Sequence, residues 1–138
     1  MLTSENIKQV GVLQDFGVPF SSLYVDMKNR TLYIFVRMIS PKCSIAEFAV
    51  TGVSPQEVEA YMNDGIGLND IFENKDSYVA QICGGDMHIK TPAKNGIAKF
   101  KESMNRFDSD FCDDDIWLEI FLDRLKNNKP LEILIGNV

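Results

Sequence analysis

Between Thr31 and Met38 the chain reads Thr-Leu-Tyr-Ile-Phe-Val-Arg-Met, and no other segment limits the available folds as much. Successive side chains of an extended strand point to opposite faces. Leu32, Ile34, Val36 and Met38 therefore share one face, while Tyr33, Phe35 and Arg37 share the other. Both faces are largely apolar, so each needs a cover and the strand belongs in the middle of a sheet.

Its neighbours follow from turn chemistry. Pro19 to Asp26 is a second run, with Phe20, Leu23, Tyr24 and Val25, joined to the first by the polar turn Met27-Lys28-Asn29-Arg30, which reads as a β-hairpin. A strand from Ile45 to Val50 is expected after the Ser40-Pro41-Lys42 turn. Upstream, Ile7, Val10 and Leu13 have helical spacing while Val10, Val12 and Phe16 have strand spacing, and the expectation is a strand from about Val10.

Gly84-Gly85 separates two further strand-like runs by two residues, the loop length that favours primed turns with positive φ. The register can be written out: Cys83 faces Asp86, Ile82 faces Met87, Gln81 faces His88, Ala80 faces Ile89 and Val79 faces Lys90. Tyr78, Ala80, Ile82, Met87 and Ile89 then make one apolar face, and the other face is mostly polar.

Val53-Ser54-Pro55-Gln56-Glu57-Val58 carries the signals of a helix start. Ser54 and Glu57 suit a capping box, Pro55 occupies a position whose N–H is not needed, and Val53 can pack on Val58. This helix is expected to bury Val58, Tyr61 and Met62 and to stop at Gly65 in a left-handed closing conformation. A turn or short helix with Ile66, Leu68, Ile71 and Phe72 should follow into the core. Ala93, Ile97, Phe100, Met104 and Phe107 mark an apolar stripe on a further helix after Thr91-Pro92. The last helix is expected from about Asp113 to Lys126, with acids at its start and cations at its end as the macrodipole favours. Its apolar arc of Ile116, Trp117, Leu118, Ile120, Phe121, Leu122 and Leu125 is wide enough to need cover on two sides, by the rest of the chain or by a second copy. Pro130 to Ile135 is a final strand candidate.

These elements make an α+β fold with a mainly antiparallel sheet of about five to seven strands and two or three helices. With neither a repeat nor a low-complexity linker, residues 1–138 read as a single domain. A net charge of -6, from 20 acidic against 14 basic residues without a basic cluster, argues against nucleic acid as a partner. Met1 to Val10 has no apolar run suited to a secretory signal, and the longest apolar stretch, Leu32 to Val36, is far short of a membrane span. Cys43, Cys83 and Cys112 are odd in number and far apart, as free thiols in a reducing compartment would be, so a cytoplasmic location is expected.

Catalytic chemistry has few residues to draw on. His88 is the only histidine, and the hairpin register puts it on the polar face opposite Gln81, where a solvated surface side chain is expected. One histidine and three dispersed cysteines offer no zinc spacing. Gly65-Ile66-Gly67 and Gly84-Gly85 lack the strand and helix context of a nucleotide-binding loop. No catalytic residue, cofactor or metal ligand is assigned. The distinctive constellation is acidic: Asp108, Asp110, Asp113, Asp114, Asp115, Glu119 and Asp123, with no lysine or arginine among them. Calcium coordination is one reading of Asp108-Ser109-Asp110, but the loop has no turn glycine or closing glutamate, and Phe111 and Cys112 fall at ligand positions. The acids also suit a solvated helix start. As partner-binding residues, Asp108, Asp110, Asp113, Asp114 and Asp115 would meet a protein with a basic surface.

The segment from Gln14 to Val36, with Asp15-Phe16-Gly17-Val18-Pro19 leading into Tyr24-Val25-Asp26 and Thr31-Leu32-Tyr33-Ile34, resembles an uncharacterised family of small bacterial α+β domains. Asp64-Gly65-Ile66-Gly67-Leu68-Asn69-Asp70-Ile71-Phe72 approximates a later stretch of the same pattern. The resemblance covers about the first half of the chain, carries no assigned activity, and implies a bacterial or phage-borne accessory domain with an antiparallel sheet. The expected role is a protein-binding or regulatory module of the immunity, antitoxin or phage-inhibitor type. The alternatives are a metal-assisted hydrolase using the carboxylate cluster and a structural homodimer subunit.

Overall fold

The computed structural model describes residues 5–15, 19–38, 46–63, 65–73, 75–90 and 116–131. They form an α+β fold in which a six-stranded antiparallel sheet runs in simple meander order, each strand beside its sequence neighbour. The strands are β1 (Ile7–Asp15), β2 (Pro19–Asp26), β3 (Thr31–Arg37), β4 (Ala46–Val53), β5 (Tyr78–Cys83) and β6 (Asp86–Ile89). Among the described residues the helices are α1 (Pro55–Met62), α2 (Leu68–Phe72) and α3 (Ile116–Lys126). The expected helix over Ala93 to Phe107 and the strand candidate Pro130 to Ile135 lie outside the described residues, apart from Pro130 and the buried Leu131.

β3 occupies the interior position its two apolar faces require, paired with β2 on one side and β4 on the other. Leu32, Ile34 and Val36 enter a cluster shared with all three helices. Phe35 enters a second cluster on the opposite face, with Ile7, Tyr24, Phe48, Val50 and Ala80. There Tyr24 stacks on Phe35 with ring centroids 3.9 Å apart, and the Arg37 guanidinium lies 5.0 Å from the Phe48 ring centre.

β1 begins at Ile7, earlier than the expected start near Val10. Ile7 pairs with Asp26, and the Met27 N–H donates to the Asn6 carbonyl at 2.9 Å, so the ladder with β2 extends to the hairpin's end. The register shifts between Gln9 and Gly11 and between Val12 and Gln14 explain the helix-like spacing of this segment. An irregularity re-phases the alternation, so Ile7 faces the second cluster while Val10 and Leu13 face the first. β4 also departs from expectation, running from Ala46 to Val53 because β3 offers partners as far as Leu32.

The turn from β2 to β3 is closed by a nearly buried acid. Asp26 Oδ1 accepts from the backbone N–H groups of Lys28 at 2.9 Å and Asn29 at 3.2 Å. Arg30 then takes a left-handed φ of 57°. The β5–β6 hairpin follows the expected register at every pair, with Gly84 at φ 58° and Gly85 at φ 92° supplying the turn. Lys90 completes it, its N–H donating to the Val79 carbonyl at 2.9 Å.

At α1 the Ser54 Oγ accepts from the Glu57 N–H at 3.1 Å, and Glu57 Oε1 accepts from the Ser54 N–H at 3.0 Å. The other Glu57 oxygen pairs with Lys75 Nζ at 2.6 Å, and Lys75 also donates to the Gly52 carbonyl at 3.0 Å. One carboxylate thus ties a helix start to the end of β4 and to the approach of β5. Val58 and Tyr61 are buried as expected, whereas Met62 is only partly buried at the rim of the cluster. Gly65 does not adopt a positive φ, contrary to expectation. Its N–H donates to the Ala60 carbonyl at 2.7 Å, and an added Cβ would sit 3.2 Å from that oxygen, so close approach is what favours glycine there.

α3 lies against β1 at a place opened by a missing side chain. A Cβ at Gly11 would fall 2.7 Å from ring atoms of Trp117. Leu118, Phe121 and Leu122 are buried in the first cluster, and Trp117 and Leu125 pack at its margin. Ile120, on the same arc, is 44% exposed within the single chain.

Two substitutions test these arrangements. Ser54→Ala removes the cap and should lower stability by about 1 kcal/mol, read as a shift of the urea midpoint at unchanged slope. Gly11→Val places branched carbon against the Trp117 ring and should cost about 1–3 kcal/mol or more. Combining Gly11→Val with Trp117→Leu should recover part of that loss in the same titration, because the two positions share one contact.

Candidate interaction surface

Exposed acids on α3 begin with Glu119 and Asp123, one turn apart on the solvent side of the helix, while Leu118, Phe121 and Leu122 hold the other side in the core. Asp108, Asp110, Asp113, Asp114 and Asp115, the residues the sequence assigns to partner binding, lie outside the described residues. So does most of the expected acidic helix start, since the described helix begins at Ile116.

The C-terminal end of α3 is held by several bonds. Arg30 Nη2, from the β2–β3 turn, donates to the Arg124 carbonyl at 3.3 Å. Lys126 forms an ion pair with Glu59 of α1. Asn128 takes a left-handed φ of 54°, and the Lys129 N–H returns to the Arg124 carbonyl at 2.8 Å, closing the helix. Asn127 Nδ2 donates to the Asp123 carboxylate and to its carbonyl, both at 2.9 Å. Cations and amides at this end complement the helix dipole. The outer face is therefore presented on an anchored element.

Glu119, Ile120, Asp123, Arg124 and Lys129 line an open surface depression of about 320 Å³. Its floor and walls combine an exposed aliphatic side chain with charges of both signs.

The other candidates have different surroundings. His88 is exposed on β6 opposite Gln81, as the register requires. Cys83 is a free, exposed thiol at the same hairpin, while Cys43 and Cys112 lie outside the described residues. Among the described residues no group of three or more histidine, cysteine, aspartate or glutamate side chains could hold a metal ion. No helix among them is long and apolar enough to cross a membrane.

Sequence reasoning missed a buried polar cluster inside the first core. Gln14 Oε1 accepts from the Ser21 hydroxyl at 3.2 Å and from the Tyr61 hydroxyl, joining β1, β2 and α1. All three residues are fully buried. A glutamine within an apolar alternation was the available signal, but its face depends on the irregular register of β1. Ser77 is also fully buried, and its hydroxyl has no hydrogen-bond partner among the described residues.

On the second face, burial pushes the Tyr24 hydroxyl above the ordinary tyrosine range, and it donates to Gln9 Oε1 at 3.1 Å. Burial raises Tyr33 as well, helped by the nearby Tyr78 and Asp26. No family model, curated protein or solved structure matches the chain.

These tyrosines set a pH dependence. Above about pH 10 the unfolded chain releases their protons while the folded chain retains them, so the unfolded state is favoured as pH rises. Stability should be constant below that point with respect to these groups and fall above it. Tyr24→Phe with Tyr33→Phe should flatten the decline, measured as denaturant midpoints across an alkaline series; an equally steep decline would remove these hydroxyls as its source.

Proposed function

We propose that the chain is a protein-binding or regulatory module whose acidic surface engages a basic surface on another protein, as an immunity-type, antitoxin-like or phage-encoded inhibitor would. The observation that carries this reading is the exposure of Glu119 and Asp123 on the outer side of α3, directly downstream of the acids from Asp108 to Asp115. Together they give seven carboxylates between Phe107 and Arg124 with no cation between them. Like charges so close in sequence repel one another, and a basic partner relieves that repulsion on binding. The overall charge of -6 has the same sign, so the long-range field favours encounter with a cation-rich surface.

Attraction between net charges accelerates association and is screened by salt. With the partner recovered by copurification from the native cell, association should slow steeply between low and moderate ionic strength. Replacing Asp110, Asp113 and Asp114 by lysine should lower the association rate by about tenfold or more and flatten the salt dependence. Glu119→Lys with Asp123→Lys should act in the same direction, while circular dichroism and the urea midpoint stay close to the parent, because exposed side chains of this kind contribute little to stability. Unchanged association rates in both variants would overturn the reading. Calorimetry with calcium, magnesium and manganese supplies the opposing result: tight binding of one of these ions, lost in the aspartate triple variant, would favour a metal-dependent activity instead.

A further inference from the structure

We draw no further inference here: the strongest candidate, the open depression over Ile120 on the outer face of α3, is lined by Arg124 and Lys129 as well as Glu119 and Asp123, and nothing in the structure shows what covers it.

Discussion

Ile34 and Phe35 are adjacent in the chain and buried in different clusters on opposite sides of one sheet. That division is the constraint on which the other elements depend. An interior strand with two apolar faces has to be flanked by strands and supplied with cover on each side. β2 and β4 provide the flanks, and α1, α2 and α3 all contribute to the Ile34 side. The Phe35 side gathers aromatic and aliphatic residues from the same strands, with Tyr24, Phe35 and Phe48 at its centre. Because the strand period is two, a slip of one residue in β3 would exchange the two sets and place Arg37 and Tyr33 among the helices.

Polar groups hold this arrangement in register. Asp26 uses its carboxylate to close the turn that enters β3. Glu57 caps α1 with one oxygen and binds Lys75 with the other, so the crossing from β4 through the helices back to β5 is tied at its two ends. Gln14, Ser21 and Tyr61 satisfy one another where β1, β2 and α1 meet out of contact with water. A buried donor or acceptor left alone is costly, so such contacts favour one arrangement over its near neighbours more than they add to stability.

Local chemistry was legible in the sequence wherever it was self-contained. Ser54 and Glu57 are three positions apart and need only each other, and the paired glycines at 84 and 85 dictate the register of β5 and β6 through the turn alone. β3 was legible as an interior strand because its own alternation is complete. β1 was legible as a strand from about Val10 but not in its start at Ile7, because the register shifts in its pairing with β2 blur the alternation. Gly65 was misread for a related reason: a glycine after a helix suggests a left-handed close, while here its N–H bonds the Ala60 carbonyl and a Cβ would stand a tight 3.2 Å from that oxygen. Of the acidic surface, the sequence indicated the charge and its concentration, and the structure adds that Glu119 and Asp123 face solvent. The difference between an acidic helix start and a recognition surface lies in what approaches it, which residue order does not encode.

The contact between Gly11 and Trp117 also bears on how the chain assembles. Every pairing in the sheet joins consecutive strands, and apart from the β4–β5 pairing, which encloses α1 and α2, each closes a short loop. Docking α3 on β1 is different, for it brings together segments near opposite ends of the chain. The entropy lost on closing a loop rises only logarithmically with its length, but little is recovered until the receiving surface exists. Trp117 can seat only on a β1 that already holds its irregular register, so the share of the first core supplied by α3 depends on a strand about a hundred residues away in the chain.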